Sequence, residues 1–88
     1  MSFPFKETKL DNNQYIREFE ESVDSDELEW HRDREDRIVE IIQNNGWEFQ
    51  LDNELPAVMT GRFFVPKETY HRVIKGNGQL IVKITKLL

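Results

Sequence analysis

The run Trp47-Glu48-Phe49-Gln50-Leu51 alternates apolar and polar side chains without a break, and a period of two belongs to a β-strand with one buried face. Leu80, Val82 and Ile84 repeat the pattern near the C-terminus. Between the strand-like runs stand Asn44-Asn45-Gly46, Asp52-Asn53, Thr60-Gly61 and Gly76-Asn77-Gly78. Asn and Asp bond their own backbone and, like Gly, tolerate left-handed dihedrals, so each of these is a reversal. Their spacing is near the ~8–12 residues of sandwiches and barrels and predicts an all-β domain. Strands are expected over 15–20, 27–31, 37–43, 47–51, 55–59, 63–65, 69–75 and 79–87. The phase of the alternation assigns Trp47, Phe49, Leu51, Phe64, Val73, Leu80, Val82 and Ile84 to the core. Residues 1–13, ending in the turn signal Asp11-Asn12-Asn13, read as an N-terminal arm before a single domain over 14–88.

With 88 residues, only one small domain fits, which excludes two-domain enzymes, solenoids and P-loop machines. The absence of Cys removes disulfides, thiolate zinc sites and thiol nucleophiles. No apolar stretch has the length of a signal peptide core or a membrane span, so the expectation is a cytoplasmic protein with no membrane partner. A net charge of −5 speaks against nucleic acid, whose binding modules carry clustered Lys and Arg. The charge is uneven: nine acidic residues stand between Glu7 and Glu29 against Lys9 and Arg17, while six basic residues follow Thr60 against Glu68. Such an asymmetry helps pair first strands with last, or simply solvates two faces. Phe3, Phe5, Leu28 and Trp30 offer more apolar surface than a chain this short readily hides, which points to a homodimer unless the arm covers it.

Chemistry concentrates around the two histidines. His31 and Asp33 are two apart, which on a strand places imidazole and carboxylate on one face, about 6.5–7 Å from each other. His71 enters a strand behind the rigid turn of Pro66. Two His and one carboxylate meeting inside a barrel would leave coordination positions open on Fe(II) or a similar ion. A plainer reading is a solvated ion-pair cluster of Asp33 with Arg32, Arg34 and Arg37. Phase raises an objection too, because a strand that buries Leu28 and Trp30 turns His31 toward water. The tripeptide His31-Arg32-Asp33 matches the start of a kinase catalytic loop, but Ile38 stands where that loop needs Asn. Ser22 and Ser25 lack the flanking Gly of a nucleophile elbow.

The segment Gly61-Arg-Phe-Phe-Val-Pro66-Lys-Glu-Thr-Tyr-His71-Arg-Val resembles the second motif of the cupins. Pro66 and His71 match its spacing; Glu68 replaces the middle Gly, Lys75 stands at the Asn, and Gly61 is one residue closer to Pro66 than is usual. The first cupin motif is matched more loosely, with His31 at its first His, Asp33 at its second, and Asn44 and Gly46 at its closing turn. Arg37 falls where the family places a Glu ligand, or Asp36 if the register slips by one. The resemblance covers most of the chain and implies a single antiparallel β-barrel, or jelly roll, of cupin type. It also implies His31, Asp33 and His71 as ligands of a divalent metal such as Fe, Mn, Ni or Zn, with a fourth ligand unassigned.

Two functions follow. One is a small metal-dependent oxygenase or isomerase acting on a small anionic molecule oriented by Arg37, Arg62 and Arg72. The other is a non-catalytic binding or assembly module that keeps the barrel without metal, for which the cation at Arg37 and the missing motif Gly and Asn speak. Fold does not choose between them. Arg37 is the pivot: turned toward Asp33 it opposes a divalent ion, and turned to Glu35 or Asp36 it leaves the ligands free. The second geometry is expected, because neutral His and ionised Asp at these offsets suit Fe(II), Mn(II) or Ni(II).

Overall fold

The computed structural model describes residues 4–25 and 28–88. Eight strands form: β1 (Lys6–Asp11), β2 (Gln14–Phe19), β3 (Asp36–Gln43), β4 (Glu48–Leu51), β5 (Ala57–Val58), β6 (Arg62–Val65), β7 (His71–Ile74) and β8 (Leu80–Leu87). They make a five-stranded sheet in the order β1-β2-β8-β3-β6 and a three-stranded sheet in the order β5-β4-β7. Every strand pair is antiparallel. No α-helix forms among the described residues, and none there is long and apolar enough to cross a membrane.

The strand with the cleanest alternation takes the centre of the larger sheet. β8 buries Leu80, Val82 and Ile84, at 0%, 3% and 5% exposure, and pairs with β2 on one side and β3 on the other. Aromatic contacts tie core positions together, Phe19 meeting Trp47 at 5.9 Å and Phe49 meeting Phe63 across the two sheets at 4.9 Å. Of the expected core, Phe49, Leu51 and Val73 pack against the buried cluster and are half-buried. Phe64 is a correction: it is 51% exposed, while Val65 is 2% exposed and Phe63 packs inward. Three apolar residues in a row fit either phase of a strand, and the structure selects the phase that buries Phe63 and Val65.

Trp47, fully buried just ahead of β4, is fixed by its neighbours in both turns. Its indole Nε1 donates to the carbonyls of Asn77 and Gly78, each at 3.3 Å. Asn44 accepts from the Trp47 amide at 2.9 Å and donates to the carbonyls of Trp47 and Met59 at 3.0 and 2.8 Å. The second turn lies so close to the first that a Cβ on Gly76 would stand 2.3 Å from Trp47 N and 2.5 Å from Gly46 C.

At the N-terminus, residues 6–11 of the segment expected as an arm join the sheet as its edge, paired with β2 from Lys6↔Glu18 to Asp11↔Gln14. All six are exposed, so no buried face prints an alternation on them. Phe5 packs on Phe19 at 5.4 Å beneath the Arg17 guanidinium, and Leu28 packs against the core. Part of the apolar surface that suggested a dimer is thus covered by the chain itself; Phe3 lies outside the described residues. No strand forms over 28–31, where His31 alone bridges to His71, and Glu27 of that expected strand also lies outside the described residues.

Candidate metal centre

The segment that failed to form a strand crosses the mouth of a pocket between the sheets. His31 N donates to His71 O at 3.0 Å and His71 N donates back to His31 O at 2.8 Å, a single rung on the free edge of β7. This rung resolves the objection from phase. Leu28, Glu29, Trp30, His31 and Asp33 all line the pocket, because an extended segment held at one rung is not bound to strict alternation. The two imidazoles meet edge to face with centroids 4.3 Å apart.

One donor atom from each of His31, Asp33 and His71 lies within 4.8 Å of the others. Both rings are oriented in the same way. His31 Nδ1 faces the Glu29 carbonyl at 3.1 Å and His71 Nδ1 faces the Thr69 carbonyl at 2.9 Å. A carbonyl only accepts, so each Nδ1 carries the proton, and in the neutral ring each Nε2 is left with its lone pair. Asp33 is held from elsewhere: its carbonyl accepts from the Glu68 amide at 2.7 Å, and Arg32 lies 3.5 Å from the Glu68 carboxylate. Glu68 adopts φ +58°, the left-handed conformation for which the matching Gly of the cupin motif is suited.

The carboxylate of Asp33 is divided between two neighbours. Arg37 NH2 lies 3.4 Å from Oδ1, and His71 Nε2 lies 3.2 Å from Oδ2. Apart from that ion-pair approach, Oδ2 is buried without a hydrogen-bond partner. An orphaned buried oxygen beside two imidazoles fits a divalent cation, which would bring together three donors of suitable type. Burial pushes the Asp33 carboxyl up, but His71, Arg37 and His31 together hold it below the ordinary carboxylate value. Burial also holds His31 below the ordinary imidazole value, with the bond to Glu29 opposing and the charge of His71 adding to the fall. The histidine is thereby kept in the form that binds metal.

Arg37 combines the two geometries weighed from sequence. Its Nε and NH2 donate to Glu35 Oε1 at 3.0 and 2.8 Å, as expected, yet the same guanidinium also touches Asp33. It lines the pocket. Arg62 and Arg72, expected beside it at a substrate, do not line this pocket. Arg72 neighbours His71 in β7 and so points to the opposite side of the sheet, donating to Gln50 Oε1 at 2.9 Å and lying 4.9 Å from the Trp30 ring centroid. Arg62 is exposed on β6, opposite Glu40. Sequence reasoning missed Glu29 and Thr69, which act through main-chain oxygens and leave no mark in residue type.

No family model matches the chain, and no curated protein matches it. Solved structures do. DMSP lyase DddQ from Ruegeria pomeroyi DSS-3 superposes with a TM-score of 0.75 at 14% identity, over 94% of this chain and 46% of that one. Co(II) HppE in complex with Tris buffer gives 0.73 at 11% identity, over 99% of this chain and 55% of that one. A cupin-2 domain containing protein from Shewanella frigidimarina NCIMB 400 gives 0.66 at 12% identity, over 99% and 83%. This chain spans 36% to 55% of the length of the lyases and of that HppE structure. At these identities the likeness is one of fold, and the chain has the cupin fold.

Proposed function

We propose that this cupin-fold protein binds a divalent metal through His31, His71 and Asp33 and acts as a small metal-dependent enzyme of oxygenase or isomerase type. The observation that supports this most is the matched orientation of the two imidazoles, each with Nδ1 tied to a carbonyl two residues back. In the neutral rings both Nε2 lone pairs can thus act as ligands beside Asp33 Oδ2, a buried oxygen with no hydrogen bond. A solvated ion-pair cluster would not need either constraint. Two neutral His and one carboxylate suit Fe(II), Mn(II) or Ni(II), and such an ion, when bound, supplies a Lewis acid or a place for dioxygen. The chain itself fixes the tautomers, buries the carboxylate and encloses a cavity of about 500 Å³ beside it. Solved structures of similar fold include HppE with Fe(II) and with Co(II).

A second reading rests on Arg37, whose guanidinium already partners Asp33 at 3.4 Å. In that reading the cation stands in place of the metal, and the protein is a binding module. Titration of chelator-treated protein with Fe(II), Mn(II) and Ni(II) decides between them. Uptake of one ion per chain that is abolished in His71→Ala supports the enzyme. No uptake by the wild type, with uptake gained in Arg37→Glu, supports the module.

A further inference from the structure

We propose that the pocket takes an uncharged molecule with an apolar body and one oxygen function, the oxygen turned toward His31, Asp33 and His71. The placement of the oxygen rests on the metal reading; the nature of the body does not. At about 500 Å³, the cavity lies within the ~300–1,000 Å³ of small-molecule sites. Behind the His–Asp end its walls include Phe19, Val39, Phe49, Met59, Val82 and Ile84, drawn from both sheets. A sugar or polyhydroxy acid would place hydroxyls against these walls without partners, each weakening binding by about tenfold or more.

Charge disfavours an anionic head as well. The two arginines that line the pocket are Arg17 and Arg37, and the charge of each already faces a carboxylate. Arg17 Nε donates to Glu7 Oε1 at 2.7 Å while its guanidinium covers Phe5 at 4.2 Å. Arg37 is held by Glu35 and Asp33. A carboxylate or phosphate would meet arginines whose charge is already offset by Glu7, Glu35 and Asp33, and would stand beside the Asp33 carboxylate. An uncharged ketone, alcohol or phenol displaces nothing and buries its ring or chain against the apolar walls. This replaces the small anionic molecule expected from the arginine count.

Calorimetric titration of the full chain, first chelator-treated, with a matched pair of probes tests the inference. 4-Phenylbutan-2-one and 3-phenylpropanoate share a ring and spacer and differ in methyl ketone against carboxylate; glucose supplies a polar body. The ketone is expected to bind at least tenfold tighter than the carboxylate, with glucose unbound at millimolar concentration. Glu35→Gln, which leaves Arg37 facing the charge of Asp33 alone, is expected to narrow that preference by raising the affinity of the carboxylate. Equal or tighter binding of the carboxylate by the wild type, binding of glucose, or no binding of the ketone at millimolar concentration overturns the proposal. Repeating the titration after incubation with Mn(II) or Ni(II) separates the two readings. Ketone binding that is indifferent to metal supports the ligand class and counts against the metal, whereas metal uptake without ketone binding overturns the ligand class alone.

Discussion

Arg37 NH2 and Asp33 Oδ1 stand 3.4 Å apart, so a cation touches the one carboxylate of the candidate centre from the position where the cupin pattern carries a Glu ligand. Two unit charges about 4 Å apart interact by ~1 kcal/mol in water and ~4 kcal/mol at an effective dielectric of 20, and a divalent ion doubles the repulsion. Arg37→Gln is therefore expected to tighten binding of Mn(II) or Ni(II) by about tenfold or more, since tenfold needs only ~1.4 kcal/mol. Calorimetry on chelator-treated protein measures it. Weaker binding in the variant would mean that Arg37 chiefly orders Asp33 and does not oppose the ion.

The two histidines separate ligation from stability. His71 is 4% exposed and lies against Phe49 at 5.3 Å, so His71→Ala is expected to cost about 2–4 kcal/mol of folding stability besides removing a ligand. His31 is exposed, and its rung to His71 is made by main-chain atoms, which Ala retains. His31→Ala should lower metal affinity by about a hundredfold or more while shifting Tm by less than ~4 °C, the shift of about 1 kcal/mol in a domain of this size. A melting curve beside a metal titration reads both. Unchanged affinity in His31→Ala would remove it from the ligand set.

Much of this arrangement was legible because a period of two survives wherever one face is buried. Trp47, Leu80, Val82 and Ile84 announced themselves that way, and the wide spacing of Asn-Gly turns located most strands. Where both faces of a strand meet solvent, as in β1, no such pattern exists, and Lys6–Asp11 looked like an arm. Phe63-Phe64-Val65 carries hydrophobicity without phase. His31, Asp33 and His71 were readable from residue type and spacing, but their convergence depends on a single main-chain rung between His31 and His71 that no side chain encodes. Arg62 and Arg72 were drawn to the site by charge alone, and strand alternation sends Arg72 to the other face.

Gly76 is needed for closeness between the two turns. A Cβ there would lie 2.3 Å from Trp47 N and 2.6 Å from Asn45 O, and backbone atoms of a hydrogen-bonded turn cannot step aside as a flexible side chain would. Gly76→Ala is expected to destabilise the fold by about 3 kcal/mol, the upper range for overpacking. Denaturant unfolding followed by Trp47 fluorescence measures it, and a loss under ~1 kcal/mol would show that the turns separate readily.

Glu68 carries the opposite expectation. At φ +58°, a residue with a Cβ pays steric strain of about 1–2 kcal/mol, part of which Gly returns as unfolded-chain entropy. The Arg32–Glu68 pair is exposed on both sides, at 54% and 51%, and adds little. Glu68→Gly is expected to stabilise the protein by about 0.5–1 kcal/mol while the amide still donates to Asp33 O. Unchanged metal affinity with a raised unfolding midpoint is the expected result; a lowered midpoint would mean that the ion pair outweighs the strain.

Acid should weaken the metal-free fold through two pH windows, and the sign follows from the site. Although His31 as a whole is exposed, partial desolvation of its ring is the chief cause that holds it below its ordinary 6.5. Asp33 is held below its ordinary 3.8, because His71, Arg37 and His31 outweigh the effect of burial. In both cases the unfolded chain binds protons at a higher pH than the folded one, so stability falls as pH falls. Loss from His31 begins as pH drops through about 6.5 and is complete below its folded value; loss from Asp33 begins near pH 4. Metal binding shares the first window, because a proton on His31 Nε2 blocks the ligand, so stabilisation by added Mn(II) or Ni(II) is expected to fade as pH is lowered below about 6.5. Denaturant midpoints from pH 8 to pH 3, with and without metal, give both curves. In His31→Ala the loss below about pH 6.5 should diminish while that near pH 4 persists. A wild type that gains stability between pH 7 and pH 5 would contradict a His31 that the fold keeps neutral.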